Sequence, residues 1–151
     1  MVNQIQNKSE NKLIFFKLAL EQARINEGST FTNPSVGCVI VKNGCVISSG
    51  CTSIKGRPHA EFNALSKKKL FKNSSLYVTL EPCCHFGVTP PCVNLISKKK
   101  IKKVFFSVYD PDKRTYKKSL QFLKKKKILY KFGGLKKEVF FFYNLQQPNC
   151  L

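Results

Sequence analysis

The chain alternates short β-prone runs with segments of helix-forming residues, and this alternation constrains the fold more than any other feature. Five runs are typical of strands, at 36–41, 45–49, 76–80, 104–108 and 128–132. Helical segments are predicted at 13–26, 59–68, 90–99, 115–123 and 135–145. Asn43-Gly44, between the first two strands, is a strong hairpin signal. The order α-β-β-α-β-α-β-α-β-α predicts a three-layer α/β/α fold with a five-stranded mixed sheet.

The 151 residues suit one domain that is large enough to bury its own core. We assign residues 13–145 to this domain, 1–12 to a flexible N-terminal tail and 146–151 to a C-terminal tail. No run approaches the roughly 20 apolar residues of a membrane span, and the polar N-terminus lacks the apolar stretch of a signal peptide. The sequence therefore predicts a cytoplasmic protein without a membrane partner.

Seven cysteines in a reducing compartment should not be interpreted as a disulfide framework. Cys38, Cys45 and Cys51 lie in or beside predicted strands, and we interpret them as small hydrophobic residues. Cys150 lies in the tail and has no predicted role. Metal binding or catalysis remains an explanation for the other cysteines.

The net charge of +19 comes mostly from lysine and permits two interpretations. One is a nucleic-acid binder attracted by phosphate, and the other is lysine spread over solvated faces. The lysine runs occur at separate places along the chain, whereas arginine, the residue best suited to phosphate and base contacts, occurs only at Arg24, Arg57 and Arg114. We therefore do not expect nucleic acid as a specific partner.

One histidine and two cysteines fall where α/β folds place their chemistry. His59 opens a predicted helix, Cys83 follows a strand and Cys92 opens the next helix. One imidazole and two thiolates make a catalytic zinc set with a fourth position left for water, and Glu61 is placed to take the proton of that water. Residues two apart do not share a helix face, so His59 must lie at the helix cap. The alternatives are a structural histidine and buried, inert cysteines.

The combined pattern is more specific than its parts, because His-x-Glu followed by Pro-Cys is typical of the zinc nucleobase deaminases. Most members then have Cys-x-x-Cys, whereas eight residues separate Cys83 from Cys92 here. This longer loop resembles the bacterial riboflavin-biosynthesis pyrimidine deaminases, from about Phe15 to Phe142. The resemblance is carried by NPSVGCVIVKNG (33–44), GRPHAEFNAL (56–65), YVTLEPCCHFGVTPPC (77–92) and Tyr109-Asp110-Pro111.

The resemblance implies a cytidine-deaminase-like fold and a zinc cofactor. By matching positions, the zinc ligands are His59, Cys83 and Cys92, and the proton shuttle is Glu61. The residues that the resemblance places near the substrate are Asn33, Ala60, His85 and Asp110.

The implied reaction belongs to riboflavin biosynthesis. It is the hydrolytic deamination of 2,5-diamino-6-(ribosylamino)pyrimidin-4-one 5′-phosphate to 5-amino-6-(ribosylamino)uracil 5′-phosphate and ammonia. The family usually continues into a fused reductase domain, and this chain ends where that domain would begin. We therefore expect a phosphorylated pyrimidine as substrate and a separate reductase chain in the same pathway. The family also implies a homo-oligomer of at least two chains.

Three departures from the family pattern lie near the expected ribose-phosphate pocket. Val88 replaces a basic residue, Thr52 replaces a histidine, and residues 112–117 replace the usual Asn-Pro-x-Val-Ala-Gly. Either nearby lysines substitute for the lost groups, or the substrate has changed.

Two alternatives to this function follow from the sequence. One is another deaminase of the superfamily, acting on a free base, a nucleoside or a tRNA adenosine, which a basic surface would suit. The other is a non-catalytic zinc or nucleic-acid-binding module, in which Cys84 or His85 would be the fourth ligand of a closed site.

Overall fold

The computed structural model describes residues 2–146, with side chains for residues 12–145. Its helices and strands follow the predicted order, and they are α1 (Val2–Arg24), β1 (Gly37–Lys42), β2 (Cys45–Cys51), α2 (Ala60–Leu65), β3 (Ser75–Leu80), α3 (Cys92–Lys98), β4 (Lys103–Val108), α4 (Lys118–Lys125), β5 (Leu129–Phe132) and α5 (Lys136–Gln146). The sheet order is β2-β1-β3-β4-β5. Strand β1 is antiparallel to β2 and β3, whereas β3, β4 and β5 are parallel. The predicted five-stranded mixed sheet is confirmed.

Two helix starts differ from the prediction by three residues or more. Helix α1 begins at Val2 rather than at residue 13, so it extends through residues 2–12, which the sequence analysis assigned to an N-terminal tail. These residues include several Gln, Lys and Glu, which are good helix formers even though they are polar. Helix α4 begins at Lys118 instead of residue 115, because Lys117 has a left-handed backbone conformation (φ 58°) that interrupts the helix. The predicted C-terminal tail lies outside the described residues, except for Gln146, which ends α5.

The sheet buries one apolar set of side chains against each helical layer. Towards α1, Val39, Val41, Tyr77 and Phe105 pack with Phe16 and Ala19 of the helix. The alternate residues of β1, β3 and β4 face the other way and pack with the apolar faces of α2, α3 and α4. These residues are Cys38, Ile40, Leu76, Val78, Val104 and Phe106. This alternation is the period of two expected for strands covered on both faces. Among the described residues, no helix is long and apolar enough to cross a membrane.

Strands β3 and β4 end side by side, and this common edge places the residues that follow them together. Leu80 is paired with Val108, and the backbone N–H of Glu81 donates to the carbonyl of Val108 at 2.9 Å. The loops after the two strands therefore start from adjacent points. Carboxyl ends of neighbouring parallel strands are where open α/β sheets place ligand sites.

The lysine runs gather at the opposite edge of the sheet. They occupy 67–69, 98–100 and 124–127, at or just beyond the C-terminal ends of α2, α3 and α4. Backbone hydrogen bonds join these regions, from Lys102 to the carbonyl of Ser74 at 2.9 Å and from Leu129 to the carbonyl of Lys102 at 3.1 Å. The runs 98–100 and 124–127 thus lie near the starts of β4 and β5, away from the carboxyl ends of β3 and β4.

Candidate active site

The three residues predicted as zinc ligands come together at the carboxyl edge of the sheet. His59 is the N-cap of α2, Cys83 lies beyond the end of β3, and Cys92 is the first residue of α3. The Nδ1 atom of His59 lies 3.7 Å from Sγ of Cys83 and 3.5 Å from Sγ of Cys92. All donor atoms of the three residues lie within 4.8 Å of one another.

This donor set fits a tetrahedral zinc ion. Zinc bonds of about 2.1 Å to nitrogen and about 2.3 Å to sulfur, at a tetrahedral angle, separate the two donor atoms by about 3.6 Å. The observed nitrogen–sulfur distances of 3.5 and 3.7 Å bracket that value. One imidazole and two thiols leave one tetrahedral position open, as catalytic zinc sites do.

Two local features hold the ligands in place. The backbone N–H of Cys92, at the start of α3, donates to Sγ of Cys83 at 3.2 Å. Gly50 in β2 allows α2 to approach the sheet, because a Cβ atom on this residue would lie 2.6 Å from both the Ala60 carbonyl oxygen and the Ala64 nitrogen. The position of the cap residue His59 therefore depends on a glycine in the neighbouring strand.

The two thiols have opposite pKa shifts. A hydrogen bond from Cys92, together with the nearby His59, lowers the pKa of Cys83 to about 4. The same pairing with Cys83, with burial, raises the pKa of Cys92 well above its ordinary value. The hydrogen bond with Cys83 is also the main reason why the pKa of His59 is raised.

Glu61 lies in the first turn of α2, two residues beyond the cap residue His59. The side chain is buried, with 4% of its surface exposed, and it lines the same cavity as His59 and Cys83. Burial raises the pKa of Glu61 to about 7, and the nearby Cys83 adds to the effect. A carboxyl group with a pKa near neutrality can both accept and return a proton, as general acid–base catalysis requires.

A cavity of about 540 Å³ opens beside the three ligands and Glu61. Three of the four residues predicted to contact the substrate line it, namely Asn33, His85 and Asp110. Burial raises the pKa of Asp110 to about 6. Ala60 is fully buried and does not line the cavity. A cavity of this size is within the range of small-molecule sites.

The sequence analysis missed the cations of the cavity, which are the arginines Arg57 and Arg114. Among residues 12–145, whose side chains are described, no lysine lines the cavity, so none of these stands there for the basic residue that the resemblance implies at Val88. Val88 is 85% exposed. Arg57 is instead close to the loop that carries Val88. Its Nη1 donates to Oγ1 of Thr89 at 3.0 Å and lies 3.3 Å from Nε2 of His59. The sequence signal that could have identified these two residues is the scarcity of arginine in a lysine-rich chain.

The other two departures are also visible in the cavity wall. Thr52 is buried and accepts a hydrogen bond from the Val36 backbone N–H at 2.9 Å, so it closes the wall rather than presenting a charge. In the loop after β4, Arg114 forms an ion pair with Asp112 at 2.6 Å, and the hydrogen bonds from Arg114 lower the pKa of Asp112 to about 2. Both residues of this exposed pair line the cavity.

The remaining cysteines and the second histidine lie outside the candidate metal set. Sγ of Cys84 contacts the Arg114 carbonyl at 3.6 Å, and Nδ1 of His85 lies 2.9 Å from Oγ1 of Thr115. Within the described part of the chain, no fourth His, Cys, Asp or Glu joins the cluster. Cys38 is buried as predicted, whereas Cys45 is exposed because it faces solvent at the start of the edge strand β2. Cys150 lies outside the described residues.

Residues 9–108 match the family described as "Cytidine and deoxycytidylate deaminase zinc-binding region". The chain belongs to this family of zinc-dependent deaminases. The diaminohydroxyphosphoribosylamino-pyrimidine deaminase of Buchnera aphidicola subsp. Acyrthosiphon pisum is 42% identical over 129 residues, which cover 85% of this chain and 88% of that relative.

Longer relatives match over part of their length. Riboflavin biosynthesis protein RibD of Chlamydia trachomatis is 48% identical over 115 residues, and the match covers 74% of this chain but 30% of that protein. A crystal form of RibD from Acinetobacter baumannii superposes with a TM-score of 0.85 and 34% identity, covering 95% of this chain and 40% of the other. The chain thus spans about a third of the length of several relatives.

Proposed function

We propose that the chain deaminates 2,5-diamino-6-(ribosylamino)pyrimidin-4-one 5′-phosphate by hydrolysis, giving 5-amino-6-(ribosylamino)uracil 5′-phosphate and ammonia. The observation that carries the proposal is the open His59, Cys83 and Cys92 donor set facing a cavity that also contains Glu61. Similarity along most of the length of the Buchnera aphidicola deaminase supports the choice of substrate.

In this proposal His59, Cys83 and Cys92 hold the metal. When bound, zinc supplies Lewis acidity and lowers the pKa of a water at the open position, so that water can act as the nucleophile at neutral pH. Glu61 accepts a proton from that water and delivers it to the ring nitrogen next to the reacting carbon. A second proton passes through Glu61 to the departing amine. The carbon exchanges its bond to nitrogen for a bond to oxygen, and ammonia leaves.

The cavity wall orients the substrate. Asn33 is held by a hydrogen bond from its Nδ2 to the Gly56 carbonyl at 3.2 Å, which leaves its Oδ1 free of that contact and available for a pyrimidine N–H. His85 and Asp110 are assigned to the ribose side of the substrate. The main chain at Ala60 is assigned to the base, because its side chain is buried away from the cavity.

Arg57 and Arg114 are assigned to the phosphate. Guanidinium groups are well suited to phosphate because they donate two parallel hydrogen bonds. Arg57 approaches the loop that carries Val88, so a cation from a neighbouring loop occupies the region of the missing basic side chain. This placement favours a phosphorylated pyrimidine over a free base or an unphosphorylated nucleoside.

The tRNA alternative needs a basic surface around the cavity mouth. The lysine runs at 67–69, 98–100 and 124–127 lie instead at the opposite edge of the sheet. A structural zinc module needs a fourth protein ligand, and the described residues offer none in the cluster. Neither alternative is favoured by a specific contact.

The proposal is tested by incubating zinc-loaded protein with the diaminopyrimidine phosphate and measuring ammonia release. Cytidine, deoxycytidylate and a tRNA substrate serve as comparison substrates under the same conditions, and Glu61→Gln is the inactive control. Turnover of the diaminopyrimidine phosphate above all others is expected. Preferential turnover of another substrate would contradict the assignment.

A separate reductase chain, assembly into a homo-oligomer and a cytoplasmic location are also proposed, from the sequence. The Buchnera aphidicola relative supports the first of these, because it is a deaminase of similar length. The separate reductase is tested by adding NADPH with and without a reductase from the same source and following the nicotinamide absorbance. Sedimentation of the purified chain tests the oligomer.

A further inference from the structure

Glu81 is a buried carboxyl group that the metal and proton chemistry does not use. It follows β3 directly, and 2% of its surface is exposed. Oε1 accepts a hydrogen bond from the hydroxyl of Ser119. Oε2 accepts from the backbone N–H of Lys117 at 3.1 Å and of Asp110 at 3.3 Å. Both carboxyl oxygens are thus engaged by one segment, residues 109–119, which comprises the connection after β4 and the first two residues of α4 and which we call the β4–α4 loop.

The β4–α4 loop forms a large part of the cavity wall. It contributes Tyr109, Asp110, Pro111, Asp112 and Arg114 to the lining. Glu81 binds the loop near its beginning, at Asp110, and near its end, at Lys117 and Ser119. The lining residues lie between or beside these attachment points.

The attachment supports a strained residue and a mostly exposed stretch of the loop. Lys117 has a φ of 58°, which costs a non-glycine residue about 1 kcal/mol or more, and its N–H points to Glu81. Ser119 and Thr115 are fully buried, whereas Lys113, Arg114, Tyr116, Lys117 and Lys118 are exposed. A buried carboxyl group that satisfies several donors is a strong local constraint.

The segment 81–85 therefore has two sides. Glu81, Cys84 and His85 contact the β4–α4 loop, the last two through the Arg114 carbonyl and the Thr115 hydroxyl. Cys83, between them, faces His59 and Cys92. One short segment thus connects the metal ligands with the wall of the cavity.

We propose that Glu81 is a positioning residue that fixes the β4–α4 loop and thereby sets the affinity for substrate, without taking part in metal binding or proton transfer. The proposal uses the proposed function only for the substrate in the kinetic assay. The effect of Glu81 on the order of the loop can be measured without any substrate.

The first variant is Glu81→Gln, which keeps the shape of the side chain but places an amide where backbone N–H groups need acceptors. We expect KM for the diaminopyrimidine phosphate to rise about tenfold, the effect of losing one hydrogen bond to a charged group, while kcat stays within about threefold. Zinc content and the unfolding midpoint of the metal-loaded protein should change little. Glu61→Gln should have the opposite signature, with kcat lost and KM retained.

A second measurement is limited digestion with trypsin, since Lys113, Arg114, Lys117 and Lys118 provide exposed cleavage sites in the loop. Cleavage at these positions, identified by mass spectrometry, should be several times faster in Glu81→Gln than in the unchanged protein. The matched control is Glu138→Gln, which changes an exposed carboxyl group in α5 and should leave cleavage unchanged.

Ser119→Ala removes one attachment from the loop side and keeps the test available if Glu81→Gln does not fold. The two substitutions together should accelerate cleavage less than the product of their separate effects, because they break one shared contact. Unchanged cleavage and KM in both variants would overturn the proposal, and so would zinc loss with the loop still protected. If the substrate is not turned over at all, the proposed function fails, while the digestion still decides the role of Glu81.

Discussion

Replacing Arg57 with methionine tests whether a guanidinium group from the loop before α2 receives the substrate phosphate. Arg57 is half-buried in the cavity wall, and it is held by Oγ1 of Thr89 at 3.0 Å. Methionine keeps much of the apolar stem but removes every donor. Val88, where the resemblance implies a basic residue, carries no charge, and its side chain is 85% exposed.

The expected effect follows from the hydrogen bonds that would be lost. A hydrogen bond to a charged group contributes about 1.5–3 kcal/mol, and about 1.4 kcal/mol corresponds to a factor of ten in binding. Arg57→Met should therefore raise KM for the phosphorylated substrate about 10- to 100-fold. The value of kcat should fall much less, because the proposed mechanism places the reacting carbon beside Glu61 and the candidate zinc ligands rather than beside Arg57.

The assay compares the substrate with its dephosphorylated form. The loss caused by Arg57→Met should nearly disappear on the dephosphorylated compound, which has nothing for the guanidinium to bind. Arg24→Met is the control, since Arg24 pairs with Glu21 on α1, outside the cavity. Zinc content is measured in parallel because Arg57 also lies 3.3 Å from Nε2 of His59. Equal losses on both substrates, with zinc retained, would refute a phosphate contact.

Four further predictions concern the metal, the proton shuttle, the fold and pH. Purified protein should contain one zinc per chain, and the double variant Cys83→Ala, Cys92→Ala should contain almost none by elemental analysis, because only one donor remains. Glu61→Gln should retain zinc but lose at least about a hundredfold in rate of ammonia release. Gly50→Ala should destabilise the protein by about 1–3 kcal/mol in urea unfolding, since its Cβ would lie 2.6 Å from backbone atoms of α2. Burial raises the pKa of Asp110 from 3.8 to about 6. The contribution of its protonated form to stability is therefore complete below pH 3.8 and is lost as pH rises through about 6. Between pH 4 and 7, the free energy of unfolding of the unchanged protein should fall relative to that of Asp110→Asn.

The elements that the sequence predicted are those with strong local signals. The apolar runs of β3 and β4 are buried on both faces, and Asn43-Gly44 forms the hairpin between β1 and β2. His59 and Cys92 could be placed at helix starts for the same reason, because a cap or a first helical residue is determined by its neighbours in the chain. The fold class and the candidate zinc ligands were therefore accessible from local patterns.

The cavity wall was less accessible because its contacts join residues that are distant in the sequence. Arg57 meets Thr89 from another loop, and Glu81 binds Ser119 across the ends of two strands. No periodicity or motif records such pairs. The start of α4 was also misplaced, because the left-handed conformation of Lys117 is stabilised by Glu81 rather than by its own neighbours.

The candidate metal ligands and the proposed phosphate side of the cavity differ in how well they tolerate substitution. The candidate ligands are fixed by caps and by a close helix–strand contact at Gly50, so a change at any of them alters the metal set itself. On the proposed phosphate side, the lining cations Arg57 and Arg114 come from two different loops, before α2 and after β4, so a cation there can come from more than one loop. Val88 and Arg57 illustrate this freedom, because the loops that carry them touch through Thr89. Loss of a basic residue in one loop is therefore compatible with retention of the same reaction, provided that an adjacent loop supplies the charge.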